Sequence, residues 1–174
     1  MFESIVVAYD GSANADRALE AGSTLAATEQ VQLGIVYVID LDRMSLSPEI
    51  RKMGEVEHII EPMPNFMVDL ENSSPEMVNK LAQAEADSQK AMLQYADYLL
   101  NQAQKSARDC GATAVDTRIL QGDPAKEVVE FASERHADLI VCGSRGHGRL
   151  KQLLLGSTSH KITQLAGCSC LTVK

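Results

Sequence analysis

The sequence has no tryptophan, only three phenylalanines, and no apolar run that approaches the length of a membrane span. A membrane-spanning helix needs about 18 or more consecutive apolar residues, so none is predicted. The N-terminal residues lead directly into a β-branched segment, without the basic and apolar regions of a signal peptide. We therefore expect a cytoplasmic protein that does not associate with membranes.

Acidic residues are absent after Asp138. Five basic residues follow it: Arg145, Arg149, Lys151, Lys161 and Lys174. These five positive charges leave −13 on residues 1–138 of a chain whose total charge is −8. Its acidic pI of about 5.0 argues against general nucleic-acid binding. The basic C-terminal part is either a site for an anion or a solvated helix face that happens to be basic.

The four cysteines lack the paired spacing of a metal site. Cys168 and Cys170 lie in a predicted strand, where alternate side chains share a face. We expect reduced structural thiols, with redox sensing as the alternative.

Strand patterns alternate with helix patterns along the chain, which predicts an α/β fold with a doubly wound parallel sheet. The predicted strands are Ser4 to Ala8, 32–39, 114–120, the buried run at 139–142, and 168–173. Ser12 and Asp123 are predicted N-caps, with Pro124 in the first helical turn. A chain of 174 residues has the length of one ordinary domain, so residues 1–174 are predicted to form a single domain.

A glycine-rich loop follows the buried run Leu139–Cys142. Gly143, Gly146 and Gly148 let backbone approach a ligand without Cβ clashes. The start of the next helix, Gly156-Ser157-Thr158, offers free N–H groups that attract anions, above all phosphate. The spacing is neither that of a P-loop nor that of a dinucleotide-binding fingerprint.

The spacing Gly-x2-Gly-x9-Gly-Ser, formed by Gly143, Gly146, Gly156 and Ser157, resembles the ATP-binding signature of the universal stress protein family. Segments 6–12, 122–124 and 137–141 are placed as in that family. The resemblance implies a five-stranded sheet of order 3-2-1-4-5. In that order Asp10 and Gly143 would face each other across one crevice. The family usually has proline after the cysteine that opens the last strand, whereas Ser169 stands here.

The resemblance also assigns site residues. Asp10 would lie near the ribose and a nucleotide-bound metal ion, although Asp before Gly also caps its own turn. An apolar slot for adenine would consist of Ala8, Val38 and Cys142. The ribose and phosphates would be surrounded by Gly143, Gly146, Gly156, Ser157, Thr158 and Ser159. Gly148 lies in the same loop, and Arg145, His147 and Arg149 are either cationic contacts or solvated loop charges.

Residues from about 40 to 74 form a long insertion after the second strand that the resemblance does not cover. It contains many of the methionines and prolines. We predict that it packs against its own domain or a dimer mate, serves as a lid or as a surface for a protein partner, or is disordered. A long helix should follow from Pro75 to about Arg108, with projecting first turns or a break near Asp87. Its predicted apolar face runs through Met77, Leu81, Ala84, Met92, Tyr95, Leu99 and Ala103.

The resulting functional prediction is an ATP-binding universal stress protein that acts as a nucleotide-dependent regulator or sensor. Mg²⁺ or Mn²⁺ would accompany ATP, and the resemblance implies a homodimer through the last strand. No Walker lysine or arginine finger is identifiable, so we expect slow hydrolysis at most. The alternatives are an interaction scaffold with a vestigial site and a binder of AMP or a cyclic nucleotide.

Overall fold

A computed structural model describes residues 2–40, 75–146 and 155–174. Within these ranges five parallel strands form one sheet in the order β3-β2-β1-β4-β5. The strands are β1 Ser4–Ala8, β2 Gln32–Ile39, β3 Val115–Gln121, β4 Leu139–Gly143 and β5 Ser169–Val173. The predicted α/β fold and its strand order 3-2-1-4-5 are therefore confirmed, with β3 and β5 each beginning one residue later than predicted.

Four helices lie in the described ranges: α1 Ala13–Glu29, α2 Pro75–Asp109, α3 Pro124–Glu134 and α4 Ser157–Leu165. The Ser12 hydroxyl caps α1 by accepting a hydrogen bond from the Ala15 N–H. The Asp123 carboxylate caps α3 by accepting from the N–H groups of Ala125 and Lys126. Both predicted N-caps are confirmed. None of the helices in these ranges is long and apolar enough to cross a membrane.

The sheet separates two apolar cores, because successive strand residues point to opposite faces. One core joins Ile5, Val7, Leu33, Ile35 and Val141 to α1 and to the C-terminal part of α2. The other joins Val6, Val36, Ile140 and Cys142 to α3 and α4. Strands buried on both faces are expected to be continuous apolar runs, as β1 and β4 are.

Contacts divide the chain into two compact units, one of Met1–Asp42 with Ala96–Lys174 and one of Arg43–Tyr95. The first unit contains the whole sheet with α1, α3 and α4. Of the second, the structure describes only helical residues 75–95. The insertion, apart from Asp40, lies outside the described residues, and a single domain over residues 1–174 stays a prediction.

Helix α2 confirms the predicted long helix and corrects its predicted buried face. It runs from Pro75 to Asp109 without interruption, so of the two alternatives the break near Asp87 is absent. In the part of α2 that belongs to the first unit, the buried residues are Ala96, Leu100, Ala103 and Ala107. The predicted face shares Ala103 with this set, but Leu99 is only partly buried.

Candidate functional site

The candidate site lies at the carboxyl ends of β1 and β4, which are neighbours in the sheet. Ala8 and Cys142 are partners in the register, so the chain leaves both strands at the same level. An added Cβ on Gly146 would clash with Asp10 Oδ2. The structure thus brings Asp10 against the described part of the glycine loop, residues 143–146, as the strand order predicts.

Asp10 also organises its own turn. Its Oδ1 accepts a hydrogen bond of 3.0 Å from the Ser12 N–H. Ser12 in turn caps α1, and its hydroxyl donates to the Arg145 carbonyl at 3.4 Å. The turn-capping role that the Asp-Gly pair suggests is therefore present, and the other carboxylate oxygen faces the loop.

Ser144 is the central polar residue of the glycine loop, and sequence reasoning did not include it in the site. Its N–H donates to the Val173 carbonyl at 2.6 Å, and its own carbonyl accepts from the Gly156 N–H at 2.7 Å. Its hydroxyl accepts from Asn14 Nδ2 at 3.4 Å. Ser144 is fully buried, so these bonds replace solvent and join the loop to β5, α4 and α1. A small polar residue directly after a buried strand was the available signal.

Helix α4 begins after a residue that has no side chain. Gly156 is the N-cap residue, with φ −73° and ψ 159°, and no side chain among the described residues caps the helix. An added Cβ at Gly156 would have its nearest contact at 3.4 Å, an ordinary van der Waals distance. The described part of the fold therefore has no steric need for glycine here, and it offers the first-turn N–H groups no capping side chain.

The three hydroxyl residues that follow Gly156 have different surroundings. Ser157 is exposed and Thr158 is half-buried, whereas Ser159 is buried. The Ser159 hydroxyl lies 3.0 Å from the carbonyl oxygens of both Ser144 and Gly156. Since a hydroxyl has one hydrogen, its donor is already engaged inside the protein. Ser159 thus links Ser144, at the start of the glycine loop, to the first turn of α4.

Ala8, Val38 and Cys142 lie on one face of the sheet. Cys142 belongs to the buried core on the α3 and α4 side, and Ala8 and Val38 pack against that core. Burial raises the pKa of the Cys142 thiol to about 11, so this side chain is neutral near pH 7. All four cysteines are free thiols. These three side chains form a short, uncharged wall beside the glycine loop.

Some predicted site residues fall outside the described part of the chain. These are His147, Gly148 and Arg149. Arg145 is described, and its carbonyl accepts the Ser12 hydrogen bond. The part of the chain that the structure describes contains no group of three or more His, Cys, Asp or Glu side chains suited to a metal ion.

An ion pair joins the N-cap of α3 to the middle of α4. Lys161 Nζ lies 3.0 Å from Asp123 Oδ2. Its hydrogen bond, followed by that of the Lys126 N–H, holds the pKa of the Asp123 carboxyl below its usual value. The pair therefore links a carboxylate of α3 to an ammonium group of α4, one turn beyond the helix end that Gly156 begins.

Comparison with known proteins gives the family. The chain matches the Universal stress protein family over residues 1–61 and 55–174. It belongs to that family. Universal stress protein YxiE of Bacillus subtilis (strain 168) is 32% identical over 174 residues, 100% of both chains. The stress response protein NhaX of the same organism is 30% identical over 176 residues, covering 99% of this chain and 98% of its own.

Solved structures of universal stress proteins share the fold. MJ0577 of Methanocaldococcus jannaschii superposes with a TM-score of 0.62 at 25% identity, covering 100% of this chain and 96% of its own. A universal stress protein in complex with cAMP gives 0.61 at 22% identity, with coverages of 99% and 97%. One from Archaeoglobus fulgidus in complex with dAMP gives 0.57 at 19% identity, with coverages of 99% and 98%.

Proposed function

We propose that this universal stress protein binds ATP between the glycine loop and the start of α4, and acts in the cytoplasm as a nucleotide-dependent regulator or sensor. The observation that carries the proposal is the N-cap at Gly156. Neither φ nor contacts with the described residues require glycine there, and the same residues supply no side-chain cap for the helix end. A ligand that approaches the backbone closely would account for glycine at this position.

The charge at this end of α4 favours an anion. A helix N-terminus carries partial positive charge on its free N–H groups, which suits phosphate. Ser157 is exposed beside these groups, and Thr158 is half-buried. Their hydroxyls and N–H groups are thus the donors proposed for phosphate oxygens, together with the backbone at Gly143 and Gly146.

The proposed place of adenine is the wall of Ala8, Val38 and Cys142. Nucleobases bind in largely apolar clefts that contain a few placed polar groups. Ala8 and Val38 are half-buried on this face of the sheet, beside the buried and neutral Cys142 thiol. The ribose would then lie near Asp10, which faces Gly146.

A divalent cation, Mg²⁺ or Mn²⁺, would be held by the nucleotide with Asp10 as its protein ligand. Mg²⁺ is commonly bound through one or two carboxylates and substrate phosphates, and not by an all-protein cage. Asp10 is the carboxylate that lies beside Gly146 in the glycine loop. One carboxylate beside the proposed phosphate position fits a cation that arrives with ATP. We propose no catalytic residue and only slow hydrolysis.

Titration calorimetry with ATP tests the proposal. Gly156→Val should weaken ATP binding at least tenfold, which corresponds to about 1.4 kcal/mol. Gly167→Val is the matched control, because an added Cβ at Gly167 has no neighbour within 4 Å. Equal ATP affinity in wild type and a folded Gly156→Val variant would refute the proposed phosphate position.

AMP or a cyclic nucleotide is the second candidate ligand. Solved universal stress proteins in complex with cAMP and dAMP favour including it. Competition experiments with ATP, AMP and cAMP rank the affinities of the three nucleotides for the wild-type protein. Tighter binding of cAMP or AMP than of ATP would replace the ATP proposal while keeping the site.

A further inference from the structure

An ion pair between Lys161 and Asp123 connects the second turn of α4 to the N-cap of α3, and both helices pack on the same face of the sheet. Nζ and Oδ2 are 3.0 Å apart. The other carboxylate oxygen, Oδ1, accepts from the N–H groups of Ala125 and Lys126 at 3.0 and 3.2 Å. Asp123 therefore has two separable roles, as the cap of α3 and as the counter-ion of Lys161.

Lys161 is placed to reach the end of α4. It lies four residues after Ser157, so both residues share one face of the helix. Helical side chains lean toward the N-terminus and cover the turn that precedes their own Cα. From this position the Lys161 side chain can extend toward the first turn of α4, where the described residues supply no side-chain cap.

The ion pair can be exchanged at little cost. The Lys161 and Asp123 side chains are 55% and 35% exposed. Ion pairs this exposed contribute little to stability, because solvent screens them. A phosphate group offers an ammonium ion more negative charge and more acceptor oxygens than one carboxylate does. Lys161 can thus leave Asp123 for a phosphate at the neighbouring helix end.

We propose that Lys161 exchanges Asp123 for the outer phosphates of a bound nucleotide and thereby favours ATP over adenosine, AMP and cyclic nucleotides. This inference rests on the proposed function and concerns the specificity of that same site. The free N–H groups of one helix turn can serve the oxygens of one phosphate. Further phosphates bind more tightly with each further cation, and Lys161 supplies one of them.

Removal of the cation tests the specificity. Lys161→Met keeps the length of the stem and should weaken ATP binding about tenfold, the size of a charge-assisted contact, while adenosine and cAMP bind as before. Lys126→Met is the matched control, because it removes the same charge from an exposed position in the first turn of α3. Lys126→Met should leave the ATP affinity close to that of wild type.

Removal of the Asp123 carboxylate, which competes with phosphate for Lys161, tests the exchange. It should change the ATP affinity in the direction opposite to Lys161→Met. Asp123→Asn keeps the cap of α3, since asparagine caps as well as aspartate. It frees Lys161 and should tighten ATP binding by up to about fivefold, the range of an exposed ion pair. In the Lys161→Met background, Asp123→Asn should change nothing. Circular dichroism and thermal unfolding of each variant verify the fold.

The outcomes separate the two proposals. ATP binding that is unchanged or weaker in Asp123→Asn would overturn the exchange, because the pair would then be a structural bridge. An equal loss for ATP and adenosine in Lys161→Met would overturn the specificity. Wild-type protein that binds none of the nucleotides would overturn the proposed function itself. If wild type binds ATP and Lys161→Met binds it with the same affinity, this inference alone is overturned.

Discussion

Gly143 and Gly156 belong to one sequence motif, but the structure places opposite demands on them. An added Cβ at Gly143 would lie 2.9 Å from the carbonyl carbon of Asn14 and 3.0 Å from the Ala15 nitrogen. Both are backbone atoms at the start of α1, which the Ser12 cap holds in place. At Gly156 the nearest contact would be the Ser144 oxygen at 3.4 Å. The same substitution at the two positions should therefore have different effects.

Gly143→Ser should lower the free energy of unfolding by about 1–3 kcal/mol, the usual cost of overpacking. The backbone of α1 must move to admit the new Cβ. Gly156→Ser should leave the free energy of unfolding unchanged or raise it by a few tenths of a kcal/mol, since serine is a better N-cap than glycine. Serine also restricts the unfolded chain more than glycine does. Its hydroxyl can occupy the first-turn N–H groups, so ATP should bind more weakly to this variant.

Urea unfolding of the two variants measures stability, and calorimetry with ATP measures binding. Gly156→Ser should combine wild-type stability with weakened ATP binding. Gly143→Ser should show a lower free energy of unfolding than wild type. A Gly143→Ser protein as stable as wild type would refute the packing argument. A Gly156→Ser protein that loses as much stability as Gly143→Ser would refute the claim that the fold has no steric need for this glycine.

Four further predictions concern other parts of the chain. Leu171 is 37% exposed on β5, and no charged residue lies within Ser169–Val173, so Leu171→Lys should dissociate the proposed homodimer in equilibrium sedimentation. A wild-type monomer of 18.9 kDa at tens of micromolar would contradict that dimer. The unfolded Cys142 thiol ionises near pH 9.0 and the buried one near 11. Stability should therefore fall as pH rises over this interval, and unfolding of Cys142→Ala should show a smaller slope. Hydrogen bonds from the N–H groups of Glu3 and Ser4 lower the pKa of Asp138, so its contribution to stability is present near neutral pH and lost as pH falls below 3.8. Asp138→Asn should reduce that loss in acid unfolding curves. ATP should slow amide hydrogen exchange in residues 41–74 as well as in the glycine loop. Protection confined to the loop would mean that the insertion does not sense the ligand.

The positions of the strands could be predicted from sequence because burial on both faces produces continuous apolar runs. Ser4–Ala8 and Leu139–Gly143 are such runs, and both are central strands. Their order could not be read from periodicity, which is the same for any arrangement of parallel strands. The strand order was implied by the family resemblance, which rests on four residues in and after the glycine loop. That order in turn predicted that Asp10 lies against the loop.

The buried face of α2 was misjudged because alanine is a weak hydrophobic signal. Three of its four buried residues in the first unit are alanines: Ala96, Ala103 and Ala107. Small side chains let a helix approach a sheet closely, so they can be fully buried without adding much apolar area. The predicted face instead followed larger residues such as Leu99, which lies at the border of the core.

The polar network of the site was the part least accessible to sequence reasoning. A motif identifies Ser159 as a hydroxyl near the phosphate position, but only the fold shows that two carbonyl oxygens lie within 3.0 Å of it. One of them belongs to Ser144, fifteen residues earlier, which also accepts the Gly156 N–H. A phosphate that took the Ser159 hydrogen would therefore loosen the contact that closes the glycine loop. The Ser157 and Thr158 groups carry no such conflict in these contacts, so they are the better donors for phosphate, and Ser159 serves the site by fixing the loop against the helix.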